Sequence, residues 1–173
     1  MILVIVGTLG YPFDRLLRKM DEIAPELDEE IVMQLGVSEY NPKNTRSFHF
    51  ESEERLDALY DECSLLVCHA GAGTILNGLV RGKPIVLVPR RAAEKEITND
   101  HQLLLTDKMR AQGKAVAALD INELKEAIFK ARELSSEPVV ADHRLADYLS
   151  DVLSEYSKKS KICVPGPFFR MRL

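Results

Sequence analysis

A chain of 173 residues can enclose one full apolar core, and with 46% hydrophobic and 29% charged residues it has the composition of a folded globular protein, which excludes disorder along its whole length. A formal net charge of −4 offers no broad cationic surface, so no nucleic-acid partner is expected. Cys63, Cys68 and Cys163 are odd in number and lack CxxC spacing, which excludes a zinc ribbon or disulfide framework and suits a reducing cytoplasm with the thiols as packing residues.

The chain opens on "ILVIV" (2–6), an apolar run too short for the core of a secretory leader, and no later run approaches membrane-spanning length. Further short runs rich in β-branched residues follow at "EIVMQL" (30–35), "SFHF" (47–50), "LLVCH" (65–69), "PIVLV" (84–88) and "KAVAAL" (114–119), giving six expected strands. Between them Leu16, Leu17, Met20 and Ile23, and then Leu56, Leu59, Tyr60 and Cys63, recur at helical spacing on one face. After the sixth strand Leu124, Ala127, Ile128, Ala131 and Leu134 mark a helix, and Leu145, Leu149, Val152 and Tyr156 mark another. Strands that alternate with helices and are apolar throughout predict an α/β fold, a doubly wound parallel sheet of Rossmann type covered on both faces.

A compositional break near Ser157 divides a domain over 1–157 from a tail over 158–173. The tail holds Lys158, Lys159, Lys161, Arg170 and Arg172 and no acidic residue, so the net charge of −4 divides into +5 on the tail and −9 on the rest. Its apolar end, "VPGPFF", contains Pro165 and Pro167 and cannot form a continuous helix. Exposed, it suits a protein groove or an anionic lipid surface; folded back through Phe168 and Phe169, it would cover the domain.

In doubly wound sheets ligands bind beyond the carboxyl ends of the strands. There the sequence places Gly7 and Thr8, Gly36, the 69–73 loop and the 89–101 loop. The segment "VCHAGAGTILNGLVRGKP" passes from strand to helix through Gly71 and Gly73. Glycine admits positive φ and close approach of a ligand to the main chain, and a helix start presents free N–H groups to an anion, so the loop is either a phosphate cradle or a tight packing turn. It is not a dinucleotide fingerprint, because Leu76 stands where G-x-G-x-x-G needs its third glycine. Nor is it a Walker A loop, since "GLVRGKP" is one residue short and puts Pro84 in place of the hydroxyl.

His69 reads as a hydrogen-bonded structural residue or as an acid–base group, and His49 and His143 as structural or exposed. Lys83 reads as a solvated turn charge and "ESEERLDALYDE" as a wet helix face. Arg90 and Arg91 end a strand on the ligand side.

"HAGAGTILNGLVRGKPIVLVPR" followed by "NDHQLLLTDKM", with "VIVGTLGYPFDRLL" and "VMQLGVSEYNPKN" before them, resembles the donor-binding half of family 28 glycosyltransferases from about Ile2 to about Leu134. The chain resembles in particular the catalytic subunit of the two-part UDP-N-acetylglucosamine transferases of lipid-linked oligosaccharide synthesis and its bacterial and archaeal polysaccharide relatives, which implies the donor-binding catalytic subunit of a heteromeric glycosyltransferase that moves a hexose. The resemblance implies the C-terminal half of a GT-B enzyme. It implies that Gly71, Ala72, Gly73 and Thr74, with Gly7 and Thr8, lie under the nucleotide diphosphate, and that His101 and Gln102 contact the hexose, with Asn99 and Asp100 shaping or supplementing that contact. Asn77 stands where the family usually carries a glutamate that grips the ribose diol. An amide can still donate and accept there, without the charge-assisted strength of a carboxylate.

The sequence has no Asp-x-Asp motif, so neither a metal nor another cofactor is expected, and the helix start would support the departing UDP. No catalytic base is evident. The resemblance implies a UDP-sugar donor, a membrane-associated partner subunit that binds a polyprenyl-linked sugar acceptor and brings the base, and a cytoplasmic chain that meets the membrane through that partner. The alternative is a non-catalytic nucleotide-sugar-binding module that regulates or stabilises a complete enzyme.

Overall fold

The computed structural model describes residues 1–134 together with Pro138. These residues lie in one compact unit, Met1–Val139. The expected helix around Leu145–Tyr156, the boundary at 157 and the 158–173 tail lie outside the described residues.

All six expected strands form: β1 (Ile2–Ile5), β2 (Ile31–Gln34), β3 (Arg46–Phe48), β4 (Leu65–Cys68), β5 (Ile85–Leu87) and β6 (Val116–Ala117). They pair in parallel in the order β3-β2-β1-β4-β5-β6. β1, β2, β4 and β5 are buried along their whole length, as near-continuous apolar runs require of a sheet covered on both faces. The sixth strand is shorter than its apolar run, because Lys114 N–H closes a turn on the Met109 carbonyl and only Val116 and Ala117 reach the β5 register.

The helices are α1 (Asp14–Ile23), α2 (Glu53–Glu62), α3 (Ala72–Val80), α4 (His101–Ala111) and α5 (Leu124–Glu133). Alternation of side chains along a strand sends Ile2, Val4, Met33, Val67 and Val86 to one face, where they form a common cluster with Leu16, Leu17 and Met20 of α1 and Leu124, Ile128 and Ala131 of α5. On the other face α3 lies so close that a Cβ on Gly78 would stand 2.8 Å from Leu66 and 2.9 Å from Ile85. The wrap on both faces is therefore observed, and the fold is Rossmann-like.

No helix joins β2 to β3. That connection is organised by the buried Asp21 carboxylate on α1, which accepts from the Lys43 and Asn44 N–H groups and from the Tyr40 hydroxyl. Burial alone would raise its pKa, but the hydrogen bonds from Lys43, Asn44 and Tyr40 prevail and hold it below the usual carboxylate value.

Two surface readings are corrected. Lys83 is not simply a solvated charge: its Nζ donates to the carbonyls of Asp61 (2.7 Å) and Cys63 (2.8 Å), satisfying the C-terminus of α2. The acidic face of α2 is partly neutralised, because Arg81 at the end of α3 pairs with Asp57 and Asp61, both at 2.7 Å.

Candidate functional site

The strand order reverses between β1 and β4, so the connections leaving those neighbours part at their carboxyl ends and open a crevice. Gly7 follows β1 with φ of +80°, and its N–H donates to the buried Gln34 side chain (3.0 Å) at the end of β2. Thr8 beyond it is exposed. After β4 the chain turns through His69, Ala70 with a left-handed φ of 59°, and Gly71. A non-glycine residue in that region costs about 1 kcal/mol or more, so the surrounding packing enforces the turn.

His69 fills the base of the crevice, with 7% of its surface exposed. Its Nδ1 is 3.2 Å from the Ile5 carbonyl, which can only accept, so Nδ1 carries the proton and Nε2 keeps its lone pair. Burial lowers the pKa to about 4, the Ile5 carbonyl opposing the shift and the Arg90 cation adding to it, so the ring is neutral at physiological pH. The ring also explains the glycines on either side: a Cβ on Gly7 would stand 2.7 Å from Nε2, and one on Gly71 would stand 2.3 Å away.

Gly71 caps α3 with extended backbone and no side-chain hydrogen bond. The first N–H groups of α3 therefore face outward without a side-chain acceptor, at the positive end of the helix dipole. A Cβ on Gly73 would meet nothing within 4 Å, so this glycine, unlike its neighbour, is not demanded by packing. The Thr74 side chain is hydrogen-bonded to Tyr60 of α2, which leaves its backbone N–H on the helix start. Asn77 lies one turn on, with its NH2 donating to the Gly73 carbonyl (3.1 Å) and its Oδ1 accepting from Arg81 (2.8 Å).

The 89–101 loop follows β5, the neighbour of β4, and so leaves the sheet at the same end as the turn into α3. Arg90 and Arg91 turn away from solvent: Arg90 is 1% exposed, and Arg91 donates to the Leu119 carbonyl. The Asp100 carboxylate accepts from the Ala92 N–H (2.9 Å), and the Asn99 side chain accepts from the His101 N–H at the start of α4 (3.2 Å), so both hold the turn that leads into the helix. Gln102 Oε1 accepts from the Arg90 N–H (2.9 Å). Sequence reasoning missed Gln34 and, in the 89–101 loop, Glu96, which is buried with its carboxylate on Arg15 of α1. Gln34 had a signal, an amide at the end of an apolar strand; Glu96 lies among other charged residues and had none.

The arrangement offers an anion the uncapped start of α3 and room over Gly73. The model of the glycosyltransferase family 28 C-terminal domain matches residues 1–152 of the chain. The chain belongs to that family.

Among relatives of this family 28 chain, the Mus musculus protein described as UDP-N-acetylglucosamine transferase subunit ALG13 is 32% identical over 88 residues, which is 48% of this chain and 7% of the relative. Its Homo sapiens counterpart is 31% identical over 88 residues, with the same coverage. The match thus spans a small fraction of the length of both relatives.

The fold is shared with the NMR solution structure of ALG13, at TM-score 0.59 and 17% identity over 90% of this chain and 96% of that one. It is shared with Acinetobacter baumannii MurG, at TM-score 0.58 and 20% identity over 89% of this chain and 49% of that one. A glycotransferase of kitacinnamycin gives TM-score 0.59 and 20% identity over 91% of this chain and 39% of that one.

Proposed function

We propose that the chain is the donor-binding subunit of a heteromeric glycosyltransferase that moves N-acetylglucosamine from UDP to a lipid-linked sugar. The observation that carries this reading is the uncapped start of α3 at the crevice between β1 and β4, with open space over Gly73. The N–H groups of Ala72, Gly73 and Thr74 would hold the diphosphate and stabilise the charge that develops on it as the glycosidic bond breaks. Thr8 would close over the phosphates, and Gly7 would keep the approach open. His101 and Gln102 would read the hexose, Gln102 through its NH2, since its oxygen is engaged by Arg90. Asn99 and Asp100 would hold the reading segment in shape.

The names of the ALG13 relatives support the donor and the subunit arrangement. Partner dependence has a further support on the surface. Leu9, Tyr11, Val37 and Phe50, in the connections after β1, β2 and β3, are large apolar residues 39% to 52% exposed at the carboxyl end of the sheet, where an acceptor-binding subunit would close the crevice. The base that takes the acceptor's proton would come from that subunit. No helix among the described residues is long and apolar enough to cross a membrane. The lipid-linked acceptor is assigned to the partner on the resemblance, and the docking to the 158–173 tail on its five basic residues.

The test is transfer of labelled N-acetylglucosamine from its UDP donor by the reconstituted pair. Turnover that requires both subunits supports the reading, and equal turnover by the partner alone contradicts it. A second reading, a non-catalytic nucleotide-sugar-binding module, is favoured by Asn77, whose amide is engaged by Gly73 and Arg81 and would have to turn to meet a ribose. The same assay decides between them.

A further inference from the structure

Between Arg90 and α4 the 91–100 segment makes most of its backbone hydrogen bonds within itself, from Glu94 and Glu96 N–H to the Arg91 carbonyl and from Lys95 N–H to the Ala92 carbonyl. Only one of its residues is buried, and it is an acid, Glu96, at 5% exposure. The Glu96 carboxylate takes Arg15 of α1 in a two-point bond, Nε to Oε1 and Nη2 to Oε2, both at 2.9 Å, and also accepts from the Arg91 N–H at 3.0 Å. Arg15 Nη2 continues to the Pro89 carbonyl at 3.1 Å.

The Glu96 carbonyl is held by a second cation. Arg90 Nη1 donates to it at 3.0 Å and to the carbonyls of Tyr11 and Pro12 after β1, at 2.9 and 3.2 Å. Arg90 Nη2 donates to the Val6 carbonyl, next to Gly7, at 2.8 Å, while the Arg90 N–H holds the Gln102 side chain. Both guanidinium groups lie against the Phe13 ring, Arg90 at 4.6 Å and Arg15 at 5.3 Å from its centre. Among the described residues, Arg90 Nε is the buried side-chain polar atom without a partner, which its place over that ring in part offsets.

A mostly buried ion pair such as this one, with the Arg15 side chain 19% and the Glu96 side chain 7% exposed, is a poor means of stabilisation, because desolvation consumes much of the attraction and apolar residues of similar volume do as well or better. What it supplies is direction: a two-point guanidinium–carboxylate bond fixes distance and angle, whereas apolar contact does not. We infer that Arg90 and the Arg15–Glu96 pair are positioning residues that set the 91–102 segment against the β1 loop and so decide how sharply the site distinguishes a UDP-sugar from UDP. The inference rests on the donor-site reading above. The Arg90 guanidinium touches main-chain carbonyls on the phosphate side, at Val6, Tyr11 and Pro12, and on the hexose side at Glu96, while its backbone N–H holds the Gln102 side chain, so a shift of Arg90 would move one side relative to the other.

The test uses the full chain with Glu96→Gln and with the apolar double variant Arg15→Met/Glu96→Leu, which removes both charges together. Affinities for UDP and for UDP-N-acetylglucosamine are measured by calorimetry with a chelator present, and amide hydrogen exchange is followed residue by residue. The expected result is UDP affinity within about twofold of the parent and an advantage of UDP-N-acetylglucosamine over UDP reduced by about 3- to 10-fold, the range of one or two lost hydrogen bonds. Exchange should quicken at 92–104 and stay slow in β1 and β4. An unchanged advantage, equal weakening of both ligands, or loss of protection throughout the sheet would overturn the inference, the last by showing a staple of the whole fold. A parent chain that binds neither ligand contradicts the donor-site reading instead, and exchange at 92–104 then decides the positioning role alone.

Discussion

His69 and Gly73 separate what the crevice needs for folding from what it would need for a ligand. The buried imidazole binds its proton with a pKa of about 4 in the folded chain against 6.5 when free, so between those values the unfolded chain takes up a proton that the folded one does not. Stability therefore falls as pH is lowered through this window, by about 3 kcal/mol in all, at 1.36 kcal/mol per pKa unit. Urea unfolding at pH 7.0 and pH 4.5 measures the loss, and His69→Gln should remove most of it; an identical pH dependence in the variant would place the cause elsewhere. Gly73 behaves differently. Its φ is ordinary for a helix and a Cβ there has open space, so Gly73→Ala should raise helix stability by up to about 1 kcal/mol. The same methyl would stand on the path of a diphosphate, so thermal unfolding should hold or rise while UDP affinity falls. Gly71→Ala, whose Cβ would stand 2.3 Å from His69 Nε2, should lose both.

Among the elements, α3 is the one whose placement matters most, and Gly78 sets it. A Cβ there would meet Leu66 at 2.8 Å and Ile85 at 2.9 Å, so Gly78→Ala should push the helix off the sheet at a cost of about 1–3 kcal/mol. A melting temperature unchanged by this substitution would show that α3 is not packed as described. The strands and most helices were legible because burial on both faces leaves an unmistakable run, as in Ile2–Val6, and burial on one face leaves a helical stripe, as in Leu16, Leu17, Met20 and Ile23. The need for glycine at 71 was legible, but its cause was not: Gly71 keeps an ordinary φ of −76° and the left-handed residue is Ala70, while the His69 ring excludes a Cβ at Gly71 and, once β1 and β4 are neighbours, at Gly7 as well. Glu96 and Arg15 were illegible for the same reason: they are 81 residues apart, and a charge in a polar loop has the same pattern whether it is solvated or buried. Lys83 looked like a solvated turn charge and is tied to α2, as is Arg81, contacts that depend on where α3 ends.

A donor-binding subunit would need two further things, a partner over the crevice and a use for the basic tail. Truncation after Ser157 removes Lys158 through Leu173, including five basic residues. If the tail docks to the partner or its membrane, the shortened chain keeps its melting temperature and its UDP affinity and loses association with the partner in a pull-down. A large fall in melting temperature would make the tail part of the domain. The apolar rim of Leu9, Tyr11, Val37 and Phe50 belongs to the same question, since it lies on the side that a second subunit would cover.

The central claim is that a nucleotide diphosphate sits on the start of α3, and the most direct measurement is a titration of the 15N-labelled chain with UDP in the presence of a chelator, read residue by residue. The largest amide shifts are expected at Ala72, Gly73 and Thr74, followed by Gly7 and Thr8, with UDP-N-acetylglucosamine adding shifts at His101 and Gln102. Shifts confined to other parts of the chain, or no change at millimolar UDP, would contradict the claim.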